Sequence, residues 1–284
     1  MQFHLLHCRF HFQAIDWVRF EKTAGNAVRG AVGQLLRSLP CTPNCPQQHS
    51  PEIRNCAYGR IFRPSAAPAL PLGYASPPRP FVLRTRSLDG LVVEPAGSFF
   101  IDLHLFAPDE LGWFRELFSK VSTQGLGRDR GRAELLSVDT QAIQLPLQAS
   151  DCSCHRLTMQ FLTPTELKPS EVPPPFHVLF TRIRDRVSAL HTLYANEQLD
   201  VDFRQLGLLS RAIQTADFSI EHCRRARTSS LTGQTHPIGG FIGWVAYQGN
   251  LGPFLPWLRA AEWAGVGRQT TWGKGEIQIT VPAS

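Results

Sequence analysis

Two stretches of this chain run in the same order of helix, glycine loop and strand, and that order limits the fold more than any other feature. Near the C-terminus "PFLPWLRAAEWA" leads into "GVGRQTTWGKG" (residues 265–275) and then "EIQITV". Midway, "PDELGWFRELFSKVS" leads into "GLGRDRGR" and then "AELLSVD". A P-loop or a dinucleotide fingerprint needs its glycines after a strand and before a helix, so that the helix N-terminus faces the phosphate. Here the order is reversed, and Lys274 lacks the Gly-Lys-Ser/Thr setting, so neither motif applies. Two readings of the loop remain. Its exposed amides, with Arg268 and Lys274, can hold a nucleic-acid backbone, or its glycines serve only a turn that needs positive φ.

The rest of the chain fits a repeat of the same plan. A strand rich in alternating apolar residues (Phe3 to Phe12) precedes a helix in which Val28, Val32, Leu35, Leu36 and Leu39 recur at helical spacing. A Cys- and Pro-rich insertion over 40–80 follows, and the prolines of "RPSAAPALPLGYASPPRP" exclude regular structure there. Strands are expected at "PFVLRT" and "SFFIDLHLF", then a helix that begins with proline and acidic residues. In the second half the expected order is "HRLTMQFLTP" as strand, a helix from Phe176 to Tyr194, and a further helix near Arg204 to Thr215. A hairpin from "DFSIEHCRRART" to "GGFIGWVAYQG" follows, and then the C-terminal helix, loop and strand. Each half therefore reads strand–helix–strand–strand–helix–glycine loop–strand. The fold class is α+β, two tandem ferredoxin-like domains, with boundaries at 1–147 and 148–284.

Composition narrows the class. The 29 basic residues outnumber the 23 acidic ones, for a net charge of +6 and a pI near 9.1. Only four of the basic residues are lysines. Arginine forks onto phosphate and stacks on bases, so this excess leans toward nucleic acid, although a GC-rich genome also favours arginine. No apolar run reaches the ~18 residues of a membrane span. The N-terminal "MQFHLLHCRFHFQAIDW" lacks the basic leader and small-residue cleavage site of a signal peptide. Seven cysteines is an odd and sparse set for a secreted disulfide scaffold. A reducing cytoplasm is the expected location.

The C-terminal stretch "GGFIGWVAYQGNLGPFLPWLRAAEWAGVGRQTTWGKGEIQI" resembles the C-terminal region of the CRISPR-associated repeat-RNA-processing endoribonucleases, of the superfamily of repeat-associated mysterious proteins. Their signature is glycine–hydrophobic–glycine, five residues, then glycine–hydrophobic–glycine. Gly265, Val266 and Gly267, then Gly273, Lys274 and Gly275, occupy that pattern, with Lys274 departing at the second hydrophobic slot. "AVRGAVGQLLR", "CAYGRIF", "PRPFVL", "GLGRDRGRAEL" and "LTMQFLTPTELK" fit their places in order, so the likeness spans most of the chain. The family fold, two ferredoxin-like domains, agrees with the repeat.

The resemblance implies cleavage of CRISPR repeat RNA at a stem-loop without metal or cofactor, with retention of the product. The ribose 2′-OH attacks the adjacent phosphate and leaves a 2′,3′-cyclic phosphate, which requires a base, an acid and cations around the phosphorane. In many relatives a histidine on or just after the first helix does the acid/base work, yet no histidine lies between Trp17 and Gln48. His49, in the cysteine loop, is the first candidate, ahead of His7, His11, His155 and His236. The alternative uses Arg29 and Arg37 on the first helix to orient and polarise the phosphate. Cys41, Cys45, His49 and Cys56 compete for the same loop as zinc ligands, although no CxxC knuckle is present. Zinc on His49 would exclude it as the base. Cys152, Cys154 and His155 read as a coincidence at the domain junction.

For RNA contact the candidates are Arg224, Arg225 and Arg227 on the hairpin, Arg128 and Arg130 in the first glycine loop, and Gly265, Gly267, Arg268, Gly273, Lys274 and Gly275 in the second. Arg182 and Arg186 share a helix face, with Arg184 turned away. The implied partners are CRISPR repeat RNA, its crRNA product and subunits of a CRISPR effector complex, with no membrane. The rival functions are a catalytically inactive crRNA-binding subunit and a generic RNA-recognition module. The latter needs stacking aromatics on central strands, and "RAELLSVD" and "EIQITV" carry none.

Overall fold

The structure, a computed structural model, describes residues 1–38, 56–64, 77–148, 153–168, 171–195, 197, 199–223, 226–228, 235–237 and 239–282. The first domain comprises β1 (Gln2–Ala14), α1 (Ala24–Ser38), β2 (Phe81–Arg84), β3 (Ser98–Leu105), α2 (Leu111–Ser119) and β4 (Ala133–Pro146). Its antiparallel sheet runs β2-β3-β1-β4. The second comprises β5 (Arg156–Thr165), α3 (Phe176–Tyr194), α4 (Phe203–Ser210), β6 (Gln214–Cys223), β7 (Gly240–Gln248), α5 (Leu255–Ala264) and β8 (Ile277–Thr280). Its sheet runs β8-β5-β7-β6. In both, the first and third strands are central and the fourth pairs beside the first, which is the ferredoxin-like order. Among the described residues no helix is long and apolar enough to cross a membrane.

Strand alternation explains how the two domains pack. On β1, Cys8, Phe10, Phe12 and Ala14 face α1 and α2 in the first core. Phe3 and Leu5 belong to the opposite face and enter the second core, together with Val82 of β2. One strand thus feeds both cores. Beyond Leu5 the same open face becomes polar, with His7, Arg9 and His11 only partly buried.

Three expectations need correction. α4 stops at Ser210 because the chain from Gln214 onward pairs with β7, Gln214 opposite Gln248 and Thr215 opposite Tyr247. Its start is set by the Asp202 side chain, which accepts from Gln205 N at 2.8 Å. The helix expected over 108–122 divides into a single turn Pro108–Glu110, α2, and a turn Val121–Gln124. β4 and β8 lie at the sheet edges, so the absence of aromatics there says nothing about stacking. The central strands β1 and β3 do carry an aromatic on the open face, Phe100, with the Arg9 guanidinium 4.0 Å from its ring centre.

Candidate functional site

The glycine loop after α5 is a folded turn with internal bonds. Gly265, Gly267, Gly273 and Gly275 all have positive φ. The need is strictest at Gly275, where a β-carbon would overlap the Val266 carbonyl. Val266 is fully buried and its N–H donates to Gly275 O at 2.9 Å, while Arg268 N donates to Glu166 O at 3.0 Å. The loop of the first domain repeats this arrangement, with Leu126 N donating to Gly131 O and Arg128 N to Arg19 O, both at 2.8 Å.

The C-terminal loop docks on the first domain. Gly25, in the first turn of α1, packs directly on the Trp272 carbonyl. Arg29, one turn on, has its guanidinium 4.7 Å from the Trp272 ring and 4.9 Å from that of Phe62. Such cation–π contacts are worth about 0.5–2 kcal/mol each. Behind the loop, Arg84 Nη2 donates to Glu262 O at 2.6 Å and Trp263 O at 3.0 Å, and His104 Nδ1 meets Trp263 O at 2.8 Å. Arg186 Nε donates to Ala264 O at 2.8 Å. These donors saturate the carbonyls at the C-terminus of α5, where the helix dipole also favours cations. Burial pushes Arg84 down to about 10 and holds His104 well below its ordinary 6.5, so His104 is neutral.

Between α1 and the loop lies a cleft lined by Thr23, Asn26, Thr85, Arg86, Trp272 and Lys274. Lys274 is turned inward. Its ammonium donates to Gly239 O at 2.7 Å, Gln269 Oε1 at 2.8 Å and Glu166 Oε2 at 3.5 Å. An ammonium has three N–H donors, so all are spent within the protein and only its charge reaches the cleft. Burial pushes its pKa down, partly offset by Glu166. Arg268 is paired with the other Glu166 oxygen at 2.8 Å.

The candidates named from sequence scatter. Arg29 sits at the loop contact. Arg37 is on α1, with its side chain outside the described residues, and His49, Cys41 and Cys45 also lie outside them. Cys56 is buried at the start of a short helix, Ala57–Phe62. Among the described residues no group of three His, Cys, Asp or Glu side chains is placed to hold a metal. Arg128 and Arg130 are exposed. Arg224 and Arg225 lie outside the described residues; Arg227 is on a short strand paired with Thr235–Pro237, where His236 also lies. His7 and His11 sit beside Asp102 and Asp139, at 3.5 and 2.8 Å, on the open sheet face. His155 is exposed and Cys154 buried at the start of β5, away from the cleft lining, and Cys152 is outside the described residues. Arg182 and Arg186 do not share a solvated face, since Arg186 is buried as the donor to Ala264. Sequence reading missed Arg84, Arg86, Asn26 and Trp272. Only Trp272 carried a local signal, a large aromatic inside a glycine loop.

Comparisons with known proteins bear on both halves. Residues 3–151 match a family model described as the AF_1859_N N-terminal domain, and residues 159–277 match that of the CRISPR-associated endoribonuclease Cas6. No curated protein matches the chain. Among solved structures, a Cas6 product complex aligns with a TM-score of 0.59 at 15% identity, covering 98% of this chain and 100% of that one. A Thermus thermophilus Cas6 gives 0.54 at 14%, covering 99% of each. A partial Cas6-RT-Cas1–Cas2 complex gives 0.57 at 12%, covering 98% of this chain and 46% of that one. At such identities the structural likeness is one of fold. The Cas6 model thus matches residues 159–277, within a chain whose fold over its whole length is like that of Cas6 structures, and the model that covers more than half of the chain, over residues 3–151, is the one described as the AF_1859_N N-terminal domain.

Proposed function

We propose that the protein is an endoribonuclease that binds the stem-loop of a CRISPR repeat RNA, cleaves pre-crRNA and keeps the crRNA. The halves 1–147 and 148–284 act as two domains around one RNA path, in company with other CRISPR subunits in the cytoplasm. The observation that carries this reading is the cleft itself. Docking of the glycine loop on α1 brings Arg86 and Lys274 to one groove, with Arg29 held beside it on the Trp272 ring and the one acid of the lining, Asp89, accepting from Ala24 N, an arrangement suited to an RNA phosphate. The nucleophile is the ribose 2′-OH of the substrate, activated by positioning, and the product is a 2′,3′-cyclic phosphate. Metal plays no part in this scheme.

The test is incubation of the purified protein with CRISPR repeat RNA, with and without EDTA. Cleavage is expected to survive chelation and to stop when the nucleotide at the cut carries a 2′-deoxyribose. Arg29→Ala and Arg86→Ala are each expected to slow cleavage by roughly 10²–10³-fold, as for loss of one transition-state donor. A comparable loss on His49→Ala would assign the acid/base work to that residue. Dependence on added metal would sink the scheme. A second reading has its own observation: among the described residues, none lining the cleft is a histidine. Tight binding of repeat RNA without cleavage would establish it, a crRNA-binding subunit that does not cut.

A further inference from the structure

The two glycine loops are copies of one backbone with different electrostatics. Gly125 and Gly265 have φ/ψ of 71°/168° and 72°/168°, and Gly127 and Gly267 both have φ 81°. Their hydrogen bonds align Arg128 with Arg268 and Arg19 with Glu166. Two residues earlier, Trp17 aligns with Pro164, since Gly131 packs on the Trp17 carbonyl where Gly275 N donates to Pro164 O at 3.2 Å. The intervening residues, Val18 and Thr165, are fully buried in both copies.

In the C-terminal copy Glu166 pairs with both Arg268 and Lys274 and offsets one of their two charges, and α1 packs against the loop at Trp272 and Gly273. The first-domain copy has a cation, Arg19, in the place of that acid. Arg19 takes the one loop carboxylate, Asp129, at 3.2 Å, and Arg132 takes Asp16 at 2.7 Å. Among the described residues no ion pair forms on Arg128 or Arg130, and both are exposed. Trp17 is 47% exposed, a high value for so large an aromatic, and the Arg19 guanidinium lies 5.4 Å from its ring. An exposed aromatic flanked by uncompensated arginines on glycine-rich backbone suits one ligand class, single-stranded nucleic acid, in which bases stack and phosphates pair.

We propose that Trp17, Arg128 and Arg130 form a second RNA site that holds the single strand flanking the cleft, with a base on Trp17 and phosphates on the two arginines. This rests on the reading of the cleft as the RNA site. Thr23 lines the cleft and is four residues beyond Arg19, so the two are at most about 14 Å apart. That span is within the reach of a few nucleotides of single strand on that side of the cleft.

The experiment compares wild type, Trp17→Ala and Arg128→Ala/Arg130→Ala on three probes: repeat stem-loop RNA with a single-stranded flank, the same stem-loop trimmed of it, and an oligouridylate. On the flanked RNA, Trp17→Ala is expected to weaken binding by roughly 5- to 150-fold, the range for loss of one stacked base, and Trp17→Tyr to restore most of it. The double arginine variant is expected to lower the slope of log Kd against log salt by about 1.4, for two phosphate contacts on a single strand. Both variants should bind the trimmed stem-loop as wild type does and lose affinity for oligouridylate. Unchanged binding to flanked RNA and oligouridylate, or an equal loss on the trimmed stem-loop, overturns the proposal. Wild-type binding to oligouridylate that depends on Trp17, with no binding to the stem-loop, supports this site and overturns the cleft reading instead.

Discussion

Single ionisable groups shape the polar face of the first sheet. Burial alone would raise the Asp102 carboxyl, but hydrogen bonds from Arg9, at 2.7 and 2.8 Å, with the His7 ring 3.5 Å away, outweigh it and hold the group at about 2. The folded value lies below the ordinary 3.8, so its stabilisation is complete above about pH 4 and is lost as pH falls through 2. The contribution is roughly 2 kcal/mol. Unfolding titrations of wild type and Asp102→Asn should therefore show a stability gap that closes between pH 4 and 2. A gap that stays constant would place the cost in packing and not in the charge. None of this was visible in sequence, where Asp102 was one polar residue of a strand and His7 one candidate base among several.

At the scale of elements, α1 shows how far periodicity reaches. Its apolar spacing was legible, and Val28, Val32, Leu35 and Leu36 are all buried as that spacing requires. Its two early glycines, alike in sequence, have opposite roles. A β-carbon at Gly25 would overlap the Trp272 carbonyl, whereas one at Gly30 meets nothing within 4 Å among the described residues. Gly30→Ala is expected to raise stability by about 0.5–1 kcal/mol through helix propensity. Gly25→Ala carries the same propensity gain but should lower stability by about 1–3 kcal/mol, since the Trp272 backbone must move. Urea midpoints of the two variants decide the matter, and equal shifts would mean that the loop does not press on α1.

Across the whole molecule, a few long-range donors set the loop against the first domain. Arg84 leaves its own sheet to cap α5 of the other domain. Arg84→Met removes two charge-assisted bonds at a helix C-terminus and should cost about 1.5–3 kcal/mol in urea unfolding. Arg86→Met, two residues on and more than half exposed, should stay within about 0.5 kcal/mol. Equal losses would show that the interdomain cap contributes nothing. β1 ties the domains together as well, since alternate residues of one strand enter the two cores.

The sequence by itself determined the repeated helix–glycine loop–strand order, the ferredoxin-like plan of each half and the helix from Phe176 to Tyr194. These rest on short-range physics: periodicity, cap residues and the few backbone angles that glycine alone adopts. Only the tertiary structure decided which strands are central, that Lys274 and Arg186 turn inward, and that Arg29 meets Trp272. A side chain's environment is made by residues far away in the chain. The two glycine loops share their sequence pattern and their backbone, yet the acid Glu166 lies in one and the cation Arg19 in the other because folding brings a different strand end to each.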